Sequence, residues 1–183
     1  MTPALLTTAN TRYPASLRGL LGIHSPPQLT AFGNLDLLPF SKTALFCSAR
    51  CPASAILRVY DQAARWRDEG RCTISGFHSP VEKECLRILL RGKQPIILCQ
   101  ARAIETMRIP TECRAAFDAG RLLFLSPFTK KPKRVTKDSA LHRNQVVAAL
   151  ADEAYIAHVT PGGQTAQIVA KLKQWRVPVI SSY

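Results

Sequence analysis

Several ingredients are scarce or missing in this 183-residue chain, and each shortfall narrows what it can do. Acidic residues are few: 12 Asp and Glu stand against 25 Lys and Arg, a net charge of +13. Such an excess draws polyanions, nucleic acid first, and leaves little material for paired catalytic carboxylates. The six cysteines, Cys47, Cys51, Cys72, Cys85, Cys99 and Cys113, form no CxxC and share no zinc spacing with histidine. Several sit inside apolar runs and read as buried free thiols of a reducing cytosol. No apolar run reaches the about 20 residues of a membrane span. The opening MTPALLTTANTRYP has neither the basic start nor the apolar centre of a secretory signal, so a cytoplasmic protein with no membrane partner is expected. A P-loop lysine motif, a GxSxG elbow and a complete GxGxxG fingerprint are all absent.

What is there is an alternation. Hydrophobic residues make up 46% of the chain, enough for a real core. Residues 1–10 read as a loose terminus, and 11–40 as a small cap of short helices and turns, including a helical piece over QLTAFG, residues 28–33. From Lys42 the pattern changes to strand and helix in turn. Strands are predicted at 43–47, 71–74, 94–99, 121–125, 153–159 and 177–180. Helices are predicted from Pro52 to Gly70, over Pro80–Leu90, after Pro110, from near Ser139, and from Gln164. Strands separated by helices imply an α/β fold, a Rossmann-like and mostly parallel sheet with helices on both faces. The predicted organisation is an N-terminal helical cap, 1–40, on a Rossmann-like domain, 41–183.

The chain is organised around Ser139–Leu172, which reads as helix, strand, glycine turn, helix. A strand that turns through Gly162-Gly163 into a helix aims backbone N–H groups and a positive dipole end at one spot, which suits a phosphate; the same pair could equally be a plain tight turn. In a parallel sheet the strand exits open on one edge. Those exits here are Ser48-Ala49-Arg50, Ser75-Gly76-Phe77-His78-Ser79, Gln100-Ala101-Arg102 and Thr160–Thr165. Arg50 and Arg143 offer planar forks for phosphate; Ser75, Thr165, Asn144 and backbone amides add neutral donors. The loop with Lys130, Lys131, Lys133, Arg134 and Lys137 is the densest positive patch, bordered by Phe124 and Phe128, rings on which bases can stack. Glu82 and Glu84 fall early in a helix, where a carboxylate complements the dipole. His78 and His142 have no partner at a catalytic spacing. The set suits anion binding and not acid–base catalysis.

In order along the chain, Tyr13-Pro14 with Leu17, Gly33-Asn34, Cys47-Ser48-Ala49-Arg50, Ser75-Gly76, Val81-Glu82, Arg143-Asn144 with Val146-Val147-Ala148, and Gly162 with Thr165-Ala166 form a series. From Tyr13 to Ile180 this series resembles the DNA-processing protein A (DprA, or Smf) family. The resemblance implies an extended Rossmann-like fold, no cofactor, and no catalysis. It implies single-stranded DNA held at the sheet edge and passed to a RecA-type recombinase in natural transformation or recombination, by a protein that usually forms a dimer. By position, Arg50, Ser75, Gly76, Arg143, Asn144, Gly162 and Thr165 would line or support the DNA pocket. The sequence departs from the family pattern at Ser48, Ala49 and Pro80, lacks its glycine-rich loop over 100–120, and ends after the sixth predicted strand, leaving no winged-helix tail expected. An alternative comes from Pro161–Thr165, PGGQT, which is similar to the phosphate loop of lysine-decarboxylase-like nucleotide hydrolases and would make the chain a small nucleotide sensor or hydrolase.

Overall fold

Strand β3 (Thr43–Cys47) is buried along its whole length. Ala44 and Phe46 enter one hydrophobic core and Leu45 and Cys47 another. A strand apolar on both sides must be covered on both sides, which requires helices above and below. The computed structural model, which describes residues 2–130, 132 and 134–181, has that arrangement. The other strands are β1 (Ala4–Thr7), β2 (Gln28–Gly33), β4 (Thr73–Ser75), β5 (Ile96–Cys99), β6 (Leu122–Ser126), β7 (Glu153–His158) and β8 (Val179–Ser181). They form one sheet in the order β1-β2-β6-β5-β4-β3-β7-β8. Pairings are parallel from β6 to β8 and antiparallel for β1 with β2 and β2 with β6.

One face carries α1 (Ala15–Leu21), α5 (Lys137–Leu150) and α6 (Gln164–Gln174), whose Leu17, Val146, Val147, Ile168 and Leu172 share a core. The opposite face carries α2 (Ala53–Asp68), α3 (Pro80–Leu90) and α4 (Arg114–Asp118), packed through Val59, Ala63, Trp66, Cys85, Leu89 and Ala116. No helix among the described residues is long and apolar enough to cross a membrane.

The N-terminal segment differs from expectation. Short helical pieces do occur, in α1 and in single turns at Gly22–His24 and Leu35–Leu37. Residues 28–33, however, form a strand and not a helix, and the terminus expected to be loose supplies β1. The reason is tertiary. Leu29 and Ala31 face one core and Phe32 the other, an alternation that fits a pleat with two covered sides. Gly33 sits at φ 124°, where a side chain would collide with the Leu122 carbonyl of the neighbouring strand. Buried Lys42 gives its ammonium to the Leu38 and Phe40 carbonyls, at 3.0 and 2.6 Å, and pins the end of this segment to the sheet.

Candidate functional site

Strands β3 to β8 leave their carboxyl ends on a common edge. From β3 the chain steps through α2, β4, α3 and β5 to β6 in one direction; it then returns through α5 to β7 on the other side of β3. The exits of β3 and β7 therefore lead to helices on opposite faces, which makes the gap between them the switch point where open parallel sheets bind ligands. A hydrogen bond bridges this gap: Thr160 N–H donates to Ser48 Oγ at 2.9 Å, beside Ser48 N–H donating to the His158 carbonyl at 3.1 Å.

Beyond β7 the residues Thr160-Pro161-Gly162-Gly163 close a turn, with Gly163 N–H donating to the Thr160 carbonyl at 3.0 Å. Proline second and a glycine at φ 72° third are the requirements of a type II turn. The turn delivers the chain into α6, whose N-terminus has no side-chain cap and no acidic residue in its first turn. The first amides of a helix have no intrahelical acceptor, so they face the edge with the positive end of the dipole. Across the gap Arg50 is exposed, and among the described residues no ion pair uses it. Gln164 at the start of α6 donates to the Lys137 carbonyl at 2.7 Å, which joins the start of α5 to the same edge. Thr165, by contrast, is buried in the first turn of α6.

Further along, polar side chains close the strand ends from inside. Ser75 Oγ donates to the Leu45 carbonyl at 2.8 Å and accepts from Phe77 N–H at 3.2 Å. Arg143, only 4% exposed, donates from Nη1 to the Cys99 carbonyl at 2.9 Å and from Nε to Asn144 Oδ1 at 2.7 Å. Its guanidinium lies against Gly76, where a Cβ would overlap it. Burial pushes the Arg143 guanidinium below its ordinary range, with the Cys99 thiol and the Glu82 carboxylate acting the other way. The Cys99 thiol is itself pushed up to about 12 by burial, Arg143 opposing.

Glu82 and Ser48 are the edge residues that the motif reading left out of the site. Glu82 takes three backbone N–H groups, those of Cys47, His78 and Ser79, at 3.1, 2.9 and 3.1 Å. It thus fastens the end of β3 to the start of α3 while Ser79 caps its own amide. The signal was legible as Ser79-x-x-Glu82, a capping box; its third partner, Cys47, is a tertiary contact. With these bonds satisfied by α3 and α5, the middle of the edge is a braced wall. Its exposed cations stand to either side.

The basic loop lies between β6 and α5 in the chain. Lys130 and Arg134 are exposed, whereas Lys131 and Lys133 lie outside the described residues. Phe128 meets His142 edge to face at 5.6 Å between ring centres. Phe124 does not border the patch: it is buried against Phe117, because its strand position points into the core, so it offers no ring to a base. All six cysteines are free thiols. Among the described residues no cluster of His, Cys, Asp and Glu is arranged to hold a metal.

The family model of DNA recombination-mediator protein A matches residues 4–176. No curated protein sequence gives a significant match. Among solved structures, the chain is similar to DNA processing protein A from Helicobacter pylori, a protein described for its single-stranded DNA binding mode. The TM-score is 0.77 at 19% identity, covering 99% of this chain and 82% of that one. DNA processing protein A from Streptococcus pneumoniae gives 0.78 at 18% identity; this chain is covered over 98% and spans 62% of that protein. A molybdenum cofactor binding protein from Rippkaea orientalis is more distant, with a TM-score of 0.54, 14% identity, and 77% and 75% covered.

Proposed function

Because this chain belongs to the DNA recombination-mediator protein A family, matched over residues 4–176, we propose that it binds single-stranded DNA along the carboxyl edge of its sheet. It does so as a cytoplasmic, non-enzymatic module of DNA uptake or recombination that presents the strand to a RecA-type recombinase, as a homodimer. The observation behind this reading is the switch-point gap, with exposed Arg50 on one side and the uncapped start of α6 on the other. One wall supplies a fork that pairs with phosphate and the other supplies backbone amides, the two kinds of donor that position a nucleic-acid backbone. The carboxyl edge from β7 to β6 crosses four strand spacings, about 19 Å at ~4.8 Å each. A stacked strand advances roughly 3.4 Å per nucleotide, so the edge has room for about five. In this reading Arg50, Lys130, Arg134 and the Gly162-Gly163 turn contact the DNA. Ser75, Gly76, Arg143 and Asn144 hold the edge rigid behind them, and Thr165 packs beneath the start of α6.

Fluorescence anisotropy with a labelled single-stranded oligonucleotide over a salt series tests the proposal. The logarithm of affinity should fall linearly with the logarithm of salt, by about 0.7 per phosphate neutralised. Arg50→Ala should reduce that slope by about 0.7 and weaken binding roughly tenfold. Binding that ignores salt, or no binding at low salt, would reject the reading. A second reading, capture of one free nucleotide at the same gap, draws on the Thr160–Gly163 turn opening directly into α6. A panel of nucleotides raising the melting temperature, with oligonucleotides inert, would favour it.

A further inference from the structure

A second cationic hollow lies at the other end of the edge, outside every motif that pointed to the switch point. The loops leaving β5 and β6 border an open hollow of about 640 Å³, lined by Arg102, Ala103, Glu105, Thr106, Met107, Arg108 and Lys130. Among the described residues, three cations line it against one carboxylate. No ion pair among the described residues uses Arg102, Arg108 or Lys130. Glu105 offsets one of the three, and its Oε1 accepts from the Lys130 amide at 2.9 Å. That bond holds Lys130 at φ 57°, a left-handed backbone that a lysine rarely adopts. The two loops are tied at two further points. Ala103 N–H donates to the Pro132 carbonyl at 2.9 Å, and Ser126 Oγ to the Arg102 carbonyl at 2.7 Å.

On the far side of Glu105 and Lys130 lies a second cavity, of about 440 Å³, against Pro3, against Leu5 of β1 and against Gln28 and Thr30 of β2. Leu5 is 51% exposed there. A charged chamber and a half-apolar slot thus share one wall.

We propose that this pair of cavities binds the phosphorylated terminus of a DNA strand, the terminal phosphate in the Arg102–Arg108–Lys130 chamber and the terminal nucleoside in the slot beside Leu5. The proposal rests on the reading of the carboxyl edge as a single-strand track, and it says where that track ends. Charge selects the ligand. Among the described residues, three cations against one carboxylate leave two positive charges. A phosphodiester brings one negative charge, whereas a phosphate monoester brings about 1.5 to 2 at neutral pH, with three acceptor oxygens. Two arginines provide forks that grip such a group bidentately, and Lys130 adds a point charge.

The test titrates the full chain calorimetrically with thymidine dinucleotides that carry a 5′-phosphate, a 3′-phosphate or neither. One phosphorylated form should bind about tenfold tighter than the plain one, the yield of one charge-assisted hydrogen bond; which form does so identifies the strand end. An Arg102→Glu, Arg108→Glu variant should erase the difference, and Arg50→Ala should leave it intact. Equal affinities, no detectable binding of either phosphorylated form, or a preference that survives the double substitution would overturn the proposal. A longer unphosphorylated oligonucleotide run in parallel separates the two ideas. If it binds while the dinucleotides show no preference, the track stands and the terminal site falls. If the preference appears without oligonucleotide binding, the cavity is a phosphomonoester site and the track is discarded.

Discussion

Gly76→Ala should destabilise the fold through one named contact. The added Cβ would overlap Cζ and Nη1 of Arg143 and stand 2.5 Å from its Nη2. Elsewhere a long side chain would swing aside at little cost. Arg143 is 4% exposed, and two of its nitrogens are already committed, to the Cys99 carbonyl and to Asn144. Moving the guanidinium breaks a buried charge-assisted hydrogen bond, about 1.5–3 kcal/mol. It also risks the larger cost of a buried cation left without its partner. A net loss of about 2–3 kcal/mol follows, and for a chain of this length that lowers the melting temperature by roughly 4–12 °C. Urea denaturation with calorimetry measures it. A double-mutant cycle isolates the cause: with Arg143→Ala already present, Gly76→Ala should cost only a few tenths of a kcal/mol, because nothing remains to be displaced. An equal cost in both backgrounds, or a Gly76→Ala protein as stable as the parent, would refute the account.

Glu82→Gln should cost about 1–3 kcal/mol in urea titrations, since the amide nitrogen that replaces one oxygen cannot accept the backbone N–H groups of its neighbours. In thiol titration of the native protein only Cys51 should react quickly: it is the one cysteine not buried, while burial pushes Cys72 and Cys113 up to about 11 and Cys85 and Cys99 up to about 12. Rapid modification of two or more sites would contradict this. Stability should fall as the pH drops from 7.5 to 5.5. Burial, with His24 nearby, holds His142 below the ordinary histidine value, so the unfolded chain takes up a proton near its normal pKa before the folded one does. His142→Asn should flatten that part of the urea-midpoint profile; an unchanged slope would show that other groups set it.

The parallel half of the sheet was readable because its strands are short apolar runs between helix signals. β3 and α3 fall at 43–47 and 80–90 as predicted, α3 because Ser79, Pro80 and Glu82 mark its start and Gly92 its stop. Residues 28–33 misled because Pro26-Pro27 resembles a helix opening and Leu29 and Phe32 are three apart. Only the neighbours β1 and β6 reveal the pleat. At the edge, sequence supplied the residue types but not their depth. Arg143 looks like a phosphate ligand until its partners are seen: the carbonyl at the end of a strand 44 residues earlier and the bare α-carbon of Gly76. Glu82 looked like an ordinary cap because its bond to Cys47 joins segments 35 residues apart.

The bond from Thr160 to Ser48 ties together two outlets that depart for opposite sides of the protein. It extends the β3–β7 pairing, which already includes Ser48 N–H to the His158 carbonyl, past the strand ends and into the Thr160–Gly163 turn. Stitched at that point, the two lips keep their spacing before any guest arrives. If the proposed reading holds, a bound strand would spend little of its binding energy on drawing them together.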